Sequence, residues 1–249
     1  MDRTTPFILS LDTATPCSSV ALTRGTREHG EILGALNLSG NVTHSRRLLA
    51  SIDYLMNQSG VDWDDLDAVN VSLGPGSFTG LRIGMATAKG LAAAAGKPLI
   101  GVSTLDGLAA KCVTGRLVCA VLDARKKEVY GAFYRCDKKG RSARVSDMAV
   151  LSPQVLAQQI NEPVLMVGDG AVAYKQKFKE LLGDKLTIAP AHLHEPGASA
   201  IGMLAGEAYL REEMLDISRV QPIYIRSSDA ELNLLKKKQQ QSSYSGDNQ

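Results

Sequence analysis

The chain has 249 residues, of which 44% are hydrophobic and 22% charged, with 28 Lys and Arg against 26 Asp and Glu. At roughly 150 residues per domain this is one large domain or two small ones, and the composition excludes fibrous, wholly disordered and disulfide-scaffold proteins. A formal charge of +2 does not announce a nucleic-acid binder. No uncharged apolar run approaches the ~18 residues of a membrane span, and Met1-Asp2-Arg3 carries an acid where a signal peptide needs a basic stretch. Cys17, Cys112, Cys119 and Cys136 contain no C-x-x-C pair, so reduced thiols and a cytoplasmic location are expected.

Phe7 to Asp12 is an apolar run ending in an acid, Thr13 to Ser18 breaks it, and Ser19 to Thr23 resumes it, which predicts a β-hairpin. Glu31 to Leu38 reads as a third strand of an antiparallel meander. Thr43 is placed to cap a helix whose apolar residues Leu48, Leu49, Ile52, Leu55 and Met56 recur at 3.6-residue spacing up to Gly60. Leu66 to Leu73 is a strand, Gly74-Pro-Gly-Ser-Phe-Thr-Gly80 a glycine loop, and Leu81 to Gly96 a helix of small residues. After the short strand Leu99 to Val102, Ser103-Thr-Leu-Asp106 resembles a capping box.

Leu117 to Asp123 again ends in Leu-Asp and is followed by a turn and the strand Glu128 to Tyr134, a weak internal duplication. Helices are expected over 153–160, 172–182 and 198–213, around a strand Val164 to Val167 and a Gly168-Asp-Gly170 turn. From Lys236 the composition becomes Lys, Gln, Ser, Gly and Asn, and residues 236–249 read as a disordered polar tail.

A carboxylate followed by a Thr- and Ser-rich turn, Asp12-Thr13, can present oxygens and N–H groups to phosphate or its metal, although a self-capping turn explains it as well. The glycines of the loop permit a backbone to approach a ligand at a helix N-terminus. Asp12, Thr13, Gly74, Gly76, Ser77 and Gly80 therefore form a candidate nucleotide or phosphate site, with a tight structural turn as the alternative. The loop lacks the G-K-[ST] ending of a Walker motif. Gly80, Gly84, Ala88, Ala92 and Gly96 make a stripe almost without side chains, fit either for the chain's own sheet or for a partner's helix. His29, His44, His192 and His194 include no i, i+4 pair, His192 and His194 are expected at the surface, and Ser77 has no activating partner. No catalytic residue and no metal site is assigned.

Ile8-Leu-Ser-Leu-Asp-Thr-Ala-Thr15, His44-Ser-Arg-Arg-Leu-Leu49, Gly74-Pro-Gly-Ser-Phe-Thr-Gly-Leu-Arg-Ile-Gly84, Ala88-Lys-Gly-Leu91, Leu122-Asp-Ala-Arg125 and Glu128-Val-Tyr130 together resemble the TsaB (YeaZ) family, and the likeness extends to Pro222-Ile-Tyr-Ile-Arg226. The resemblance implies an α/β protein of two tandem actin-like (ASKHA, ribonuclease H-like) lobes with mixed sheets flanked by helices, here 1–103 and 104–235. It implies a noncatalytic subunit that binds TsaD, and with TsaE supports transfer of a threonylcarbamoyl group to the adenosine beside the anticodon of tRNAs reading A-starting codons. TsaD carries the H-x-x-x-H metal site; here Leu48 stands where the second ligand would be. Through the family's heterodimer surface, the resemblance shifts Leu48, Leu49, Ile52, Met56, Gly80, Gly84, Ala88 and Ala92 toward partner binding. It implies no tightly bound cofactor, ATP or ADP at the TsaD interface, and a homodimer as one state of the free chain. Lys236 to Lys238 is a candidate tRNA contact. An ATP-dependent phosphotransferase using Asp12 and the Gly74 loop is the main alternative, and a metallopeptidase the second.

Overall fold

In β1 (Phe7–Asp12) the alternation of Phe7, Leu9 and Leu11 with Ile8, Ser10 and Asp12 puts the two sets on opposite faces. β1 pairs antiparallel with β2 (Ser18–Arg24), which pairs with β3 (Glu31–Leu38). It pairs parallel with β4 (Ala68–Gly74), which pairs with β5 (Leu99–Ser103), so the order is β3-β2-β1-β4-β5. The protein, described by a computed structural model over residues 5–40 and 44–226, repeats this arrangement. In the second sheet β6 (Leu117–Arg125), β7 (Glu128–Cys136), β8 (Ser142–Arg144), β10 (Val164–Val167) and β11 (Leu186–Ile188) run in the order β11-β10-β6-β7-β8, while β9 (Ala149–Leu151) pairs separately with β7. Both sheets have three antiparallel strands followed by two parallel ones. The duplication is therefore one of topology, and the fold is a pair of actin-like, ribonuclease H-like lobes.

Leu9, Leu11, Val20, Leu22, Val69 and Val71 bury one face of the first sheet beneath α1 (His44–Ser59) and α2 (Phe78–Ala95). Each fully buried aliphatic side chain there contributes roughly 2 kcal/mol. The other face lies under α7 (Ala198–Leu210), whose Ile201, Ala205 and Ala208 meet Ile8, Ala68 and Ile100. α7 follows the second sheet in sequence yet packs on the first, and Leu215 N–H and Ile223 N–H then donate to Leu99 and Leu73 carbonyls at 2.8 and 2.7 Å. The expected division at 103/104 thus omits a return, since part of the segment assigned to the second lobe completes the first.

Other boundaries also differ. The helix expected over 172–182 is two, α5 (Asp169–Ala173) and α6 (Lys175–Leu182), separated at Tyr174, and α7 ends at Leu210. At the start of α3 (Thr104–Ala110) Ser103 makes no side-chain cap; its hydroxyl meets Met148 Sδ at 3.3 Å and Asp106 accepts from Tyr134 Oη at 2.7 Å. The helix expected from Pro153 is α4 (Pro153–Gln158), capped by Ser152. Thr43 and the 236–249 tail, including Lys236 to Lys238, lie outside the described residues.

The small-residue stripe of α2 faces inward. Gly80, Gly84, Ala88 and Ala92 are all buried against the chain's own strands. A Cβ on Gly80 would collide with the Thr13 carbonyl, and one on Gly84 with the Thr13 hydroxyl. Partner binding by this stripe is corrected accordingly: its missing side chains serve the approach of α2 to the β1–β2 turn. Leu48, Ile52 and Met56 likewise belong to the core, which leaves Leu49, 55% exposed, as the member of that set open to solvent. Gly80→Ala is expected to lower stability by about 2–3 kcal/mol, as overpacking against backbone does, and urea denaturation checks it.

Candidate functional site

β1 and the glycine loop meet at one junction. Thr13 Oγ1 donates to Gly80 O at 2.7 Å, and Ser77 N–H donates to Ala14 O at 2.7 Å. Ser77 is the N-cap of α2, its hydroxyl accepting from Gly80 N–H at 3.3 Å. A Cβ on Gly76 would strike the Ala14 carbonyl. The glycines and N–H groups that suggested a phosphate cradle are thus engaged with the chain's own turn, so the candidate phosphate set is not assembled around a ligand. Gly74 is buried under Leu81 and the Ile223 carbonyl, and Gly76 and Ser77 alone of the six line the adjacent cavity.

Asp12 points to the buried face beneath α7. Its Oδ1 accepts from Ala14 N–H at 2.9 Å, while Oδ2 has no partner. Burial pushes its carboxyl up to about 6, against the opposing pull of the Ala14 N–H, Ser72 and the Lys111 ammonium. Asn70 and Thr23 on the same sheet face also carry buried oxygens without partners. Asp12 is therefore sealed inside the structure.

The cavity, about 340 Å³, opens where the two lobes join. The first lobe contributes residues 14–16 and 75–78, and the second contributes the β6–β7 turn and Asp169. Its outer wall is the segment 223–226, which sequence reasoning did not assign to a site. There Tyr224 packs on Phe78 with ring centroids 5.0 Å apart, Arg82 lies 3.9 Å over Phe78 and donates to Tyr224 Oη at 3.1 Å. Arg226 reaches the second lobe, donating to Glu128 Oε2 at 3.1 Å and to Ala124 O at 3.2 Å. The aromatic and basic residues of Pro222-Ile-Tyr-Ile-Arg226 were the available sequence signal. At the floor, Asp169 Oδ1 accepts from Asp123 N–H at 2.9 Å, and burial, reinforced by the Asp123 charge, raises the Asp169 carboxyl.

The β6–β7 turn places Arg125, Lys126 and Lys127 at φ 62, 52 and 65°, the left-handed region. Such a conformation costs a residue with a side chain roughly 1–2 kcal/mol and normally calls for Gly or Asn. His194, expected at the surface, is buried at 8% exposure and its Nδ1 accepts from Gly168 N–H at 3.1 Å, which orders the turn after β10; His192 is exposed. Among the described residues no three His, Cys, Asp or Glu side chains come together to hold a metal ion, and no helix is long and apolar enough to cross a membrane.

A second concavity, about 530 Å³, lies along α1 and is lined by Leu49, Ile52, Met56, Trp63 and Leu91 together with the polar Asp53, Asn57 and Asp62. Tyr54 and Leu49 stand 56% and 55% exposed on this helix.

A family profile described as "TsaD: tRNA N6-adenosine threonylcarbamoyltransferase" matches residues 39–234. The tRNA threonylcarbamoyladenosine biosynthesis protein TsaB of Escherichia coli (strain K12) is 32% identical over 229 residues, covering 90% of this chain and 96% of that protein. The chain belongs to the TsaB family. TsaB of Bacillus subtilis (strain 168) is also 32% identical, covering 90% and 96% of the two chains. YeaZ from Pseudomonas aeruginosa has the same fold, with a TM-score of 0.73 at 30% identity over 88% of this chain and 99% of that one. The TsaB family acts in threonylcarbamoyladenosine biosynthesis, so this chain does too.

The Asp12 environment gives a pH test. Because the folded pKa lies above the ordinary carboxyl value of 3.8, the stabilising preference is for the protonated form; it is present below about 4 and lost as pH rises through about 6. Asp12→Asn, which stays neutral, is expected to gain stability relative to the parent between pH 4.5 and 7.5, by on the order of 2 kcal/mol. Parallel urea titrations of the two proteins across that range measure the difference.

Proposed function

We propose that this chain is the noncatalytic subunit that holds a TsaD-type transferase in its competent arrangement, with α1 as its docking surface. The observation that carries this reading is the exposure of Leu49, which lines an open groove of mixed polar and apolar character, and of Tyr54 on the same helix, whose other apolar residues are already committed to the core. A helix that buries one face and leaves large apolar side chains on the next fits a helical partner. The partner supplies the metal and the chemistry; TsaE joins the pair, and ATP or ADP sits at the subunit interface. The substrate is the adenosine beside the anticodon of tRNAs reading A-starting codons, and the setting is the cytoplasm.

The rival reading, a phosphotransferase working through Asp12 and the Gly74 loop, requires tight ATP binding by the isolated chain. The occupied Ser77 and Gly80 N–H groups and the sealed Asp12 carboxylate argue against it. Isothermal calorimetry with ATP and Mg²⁺ decides between them.

Leu49→Asp puts a charge into the proposed contact without touching the core. It is expected to weaken association with TsaD by about 30-fold or more, the loss of one hot-spot residue, while circular dichroism stays that of the parent. Sedimentation velocity of the chain with its own TsaD, with and without ATP, provides the measurement. Undiminished affinity removes α1 as the docking surface, and no association of the parent chain under any condition removes the partner reading itself.

A further inference from the structure

We propose that the lobe-junction cavity is a contact site for single-stranded RNA, taking one nucleotide with its base against the aromatic wall and its phosphates on the β6–β7 turn. This rests on the tRNA-modification reading, and deepens it by naming where this subunit itself would meet the nucleic acid.

The wall and the rim have the two parts that single-stranded nucleic acid needs, flat aromatic surface and clustered cations. Tyr224 and Phe78 form a tilted ring pair, and Tyr224 keeps 37% of its surface exposed beside the cavity. Tyr130, from the opposite lobe, lines it as well. Arg125 and Lys126 line the cavity and Lys127 follows them, three consecutive exposed cations on a turn in which each has positive φ. The Arg125 side chain is 77% exposed although it pairs with Asp123 at 3.2 Å, and Lys127 makes no ion pair among the described residues.

The interior of the cavity argues for a base rather than a polyphosphate. Its floor carries Asp123 and Asp169, whose charge repels a buried polyphosphate, whereas a carboxyl can hydrogen-bond the edge of a base. The Ser77 N–H at the start of α2 is already given to Ala14 O. Phosphates are therefore best placed outside, on the turn, and a chain of nucleotides provides that arrangement: one base enters while the flanking phosphates remain at the rim.

The test is fluorescence anisotropy of a labelled, unstructured oligoribonucleotide with the full chain at several salt concentrations. With about three cations engaged, the logarithm of the affinity should fall against that of salt with a slope of about −2. Lys127→Glu, at an exposed turn position, should reduce affinity about tenfold and make the slope shallower. Tyr224→Ala should weaken binding about five- to tenfold with the slope unchanged, and Tyr224→Phe, which retains the ring, should restore it; this separates stacking from a folding defect. Adenosine monophosphate is the competing probe. Absence of RNA binding, binding indifferent to both Lys127→Glu and Tyr224→Ala, or saturable binding of the monophosphate without RNA binding each overturns the proposal. Failure here with TsaD association intact leaves the subunit reading standing, so the two fail separately.

Discussion

The docking of the β1–β2 turn onto the first turn of α2 is the constraint on which the rest of the molecule depends. Two hydrogen bonds, Thr13 Oγ1 to Gly80 O and Ser77 N–H to Ala14 O, join segments more than sixty residues apart in sequence. They require glycine at 76, 80 and 84, where a Cβ would meet the turn itself. This contact sets the angle of α2 on the sheet. It thereby places Phe78 at the cavity and Leu91 at the α1 groove, thirteen residues or about 20 Å apart along one helix. The two surfaces assigned to partner and RNA are opposite ends of a single rigid element.

The second organising feature is the return of the chain across its own lobes. α7 covers a sheet face that carries Ser10, Asp12, Asn70, Ser72 and Thr23, a polar set for a buried surface. Desolvating these groups is costly unless they are paired, and only some are: Ser10 Oγ accepts from Asn70 Nδ2 at 3.0 Å, while Asp12 Oδ2 is alone. The raised Asp12 carboxyl follows from that burial. After α7, residues 215–226 cross β5, the end of β4 and the first turn of α2 before Arg226 ties to Glu128. A second tie lies elsewhere on the lobe boundary, where Arg27, held within the first lobe by a bidentate pair with Glu207 of α7 at 2.7 and 2.9 Å, reaches across to Ser142 of β8 at 3.2 Å. Both bridges use Arg, whose planar fork can hold one partner in its own lobe while a remaining N–H reaches the other, or pair directly with a carboxylate across the boundary.

Much of the fold was legible because strand alternation and helical spacing are local properties. β1, β2 and β3, the glycine loop and α2, and the Leu-Asp repeat at Asp12 and Asp123 could be read from short windows, and the match of the two sheet orders vindicates the repeat. The three-residue strands β8, β9 and β11 could not, since nothing so short has a resolvable period. The candidate site was less legible. A glycine that approaches a ligand and a glycine that approaches its own backbone look alike in sequence, which is why the Gly74 loop suggested phosphate. His194 was misplaced for a related reason: a Pro-flanked loop residue normally lies outside, and this one is buried where it accepts from Gly168 N–H in the turn after β10.

By itself the sequence determined the element types, the duplicated strand order in outline and membership of the TsaB family, because periodicity and specific motifs are carried by residues near one another in the chain. Tertiary structure alone decided which apolar side chains stay exposed, that Asp12 is sealed while Asp123 and Asp169 line a cavity, and that residues 223–226 form its wall. Those outcomes depend on contacts between residues 46 to 179 positions apart, whose closeness is set by how helices and sheets pack rather than by any local preference.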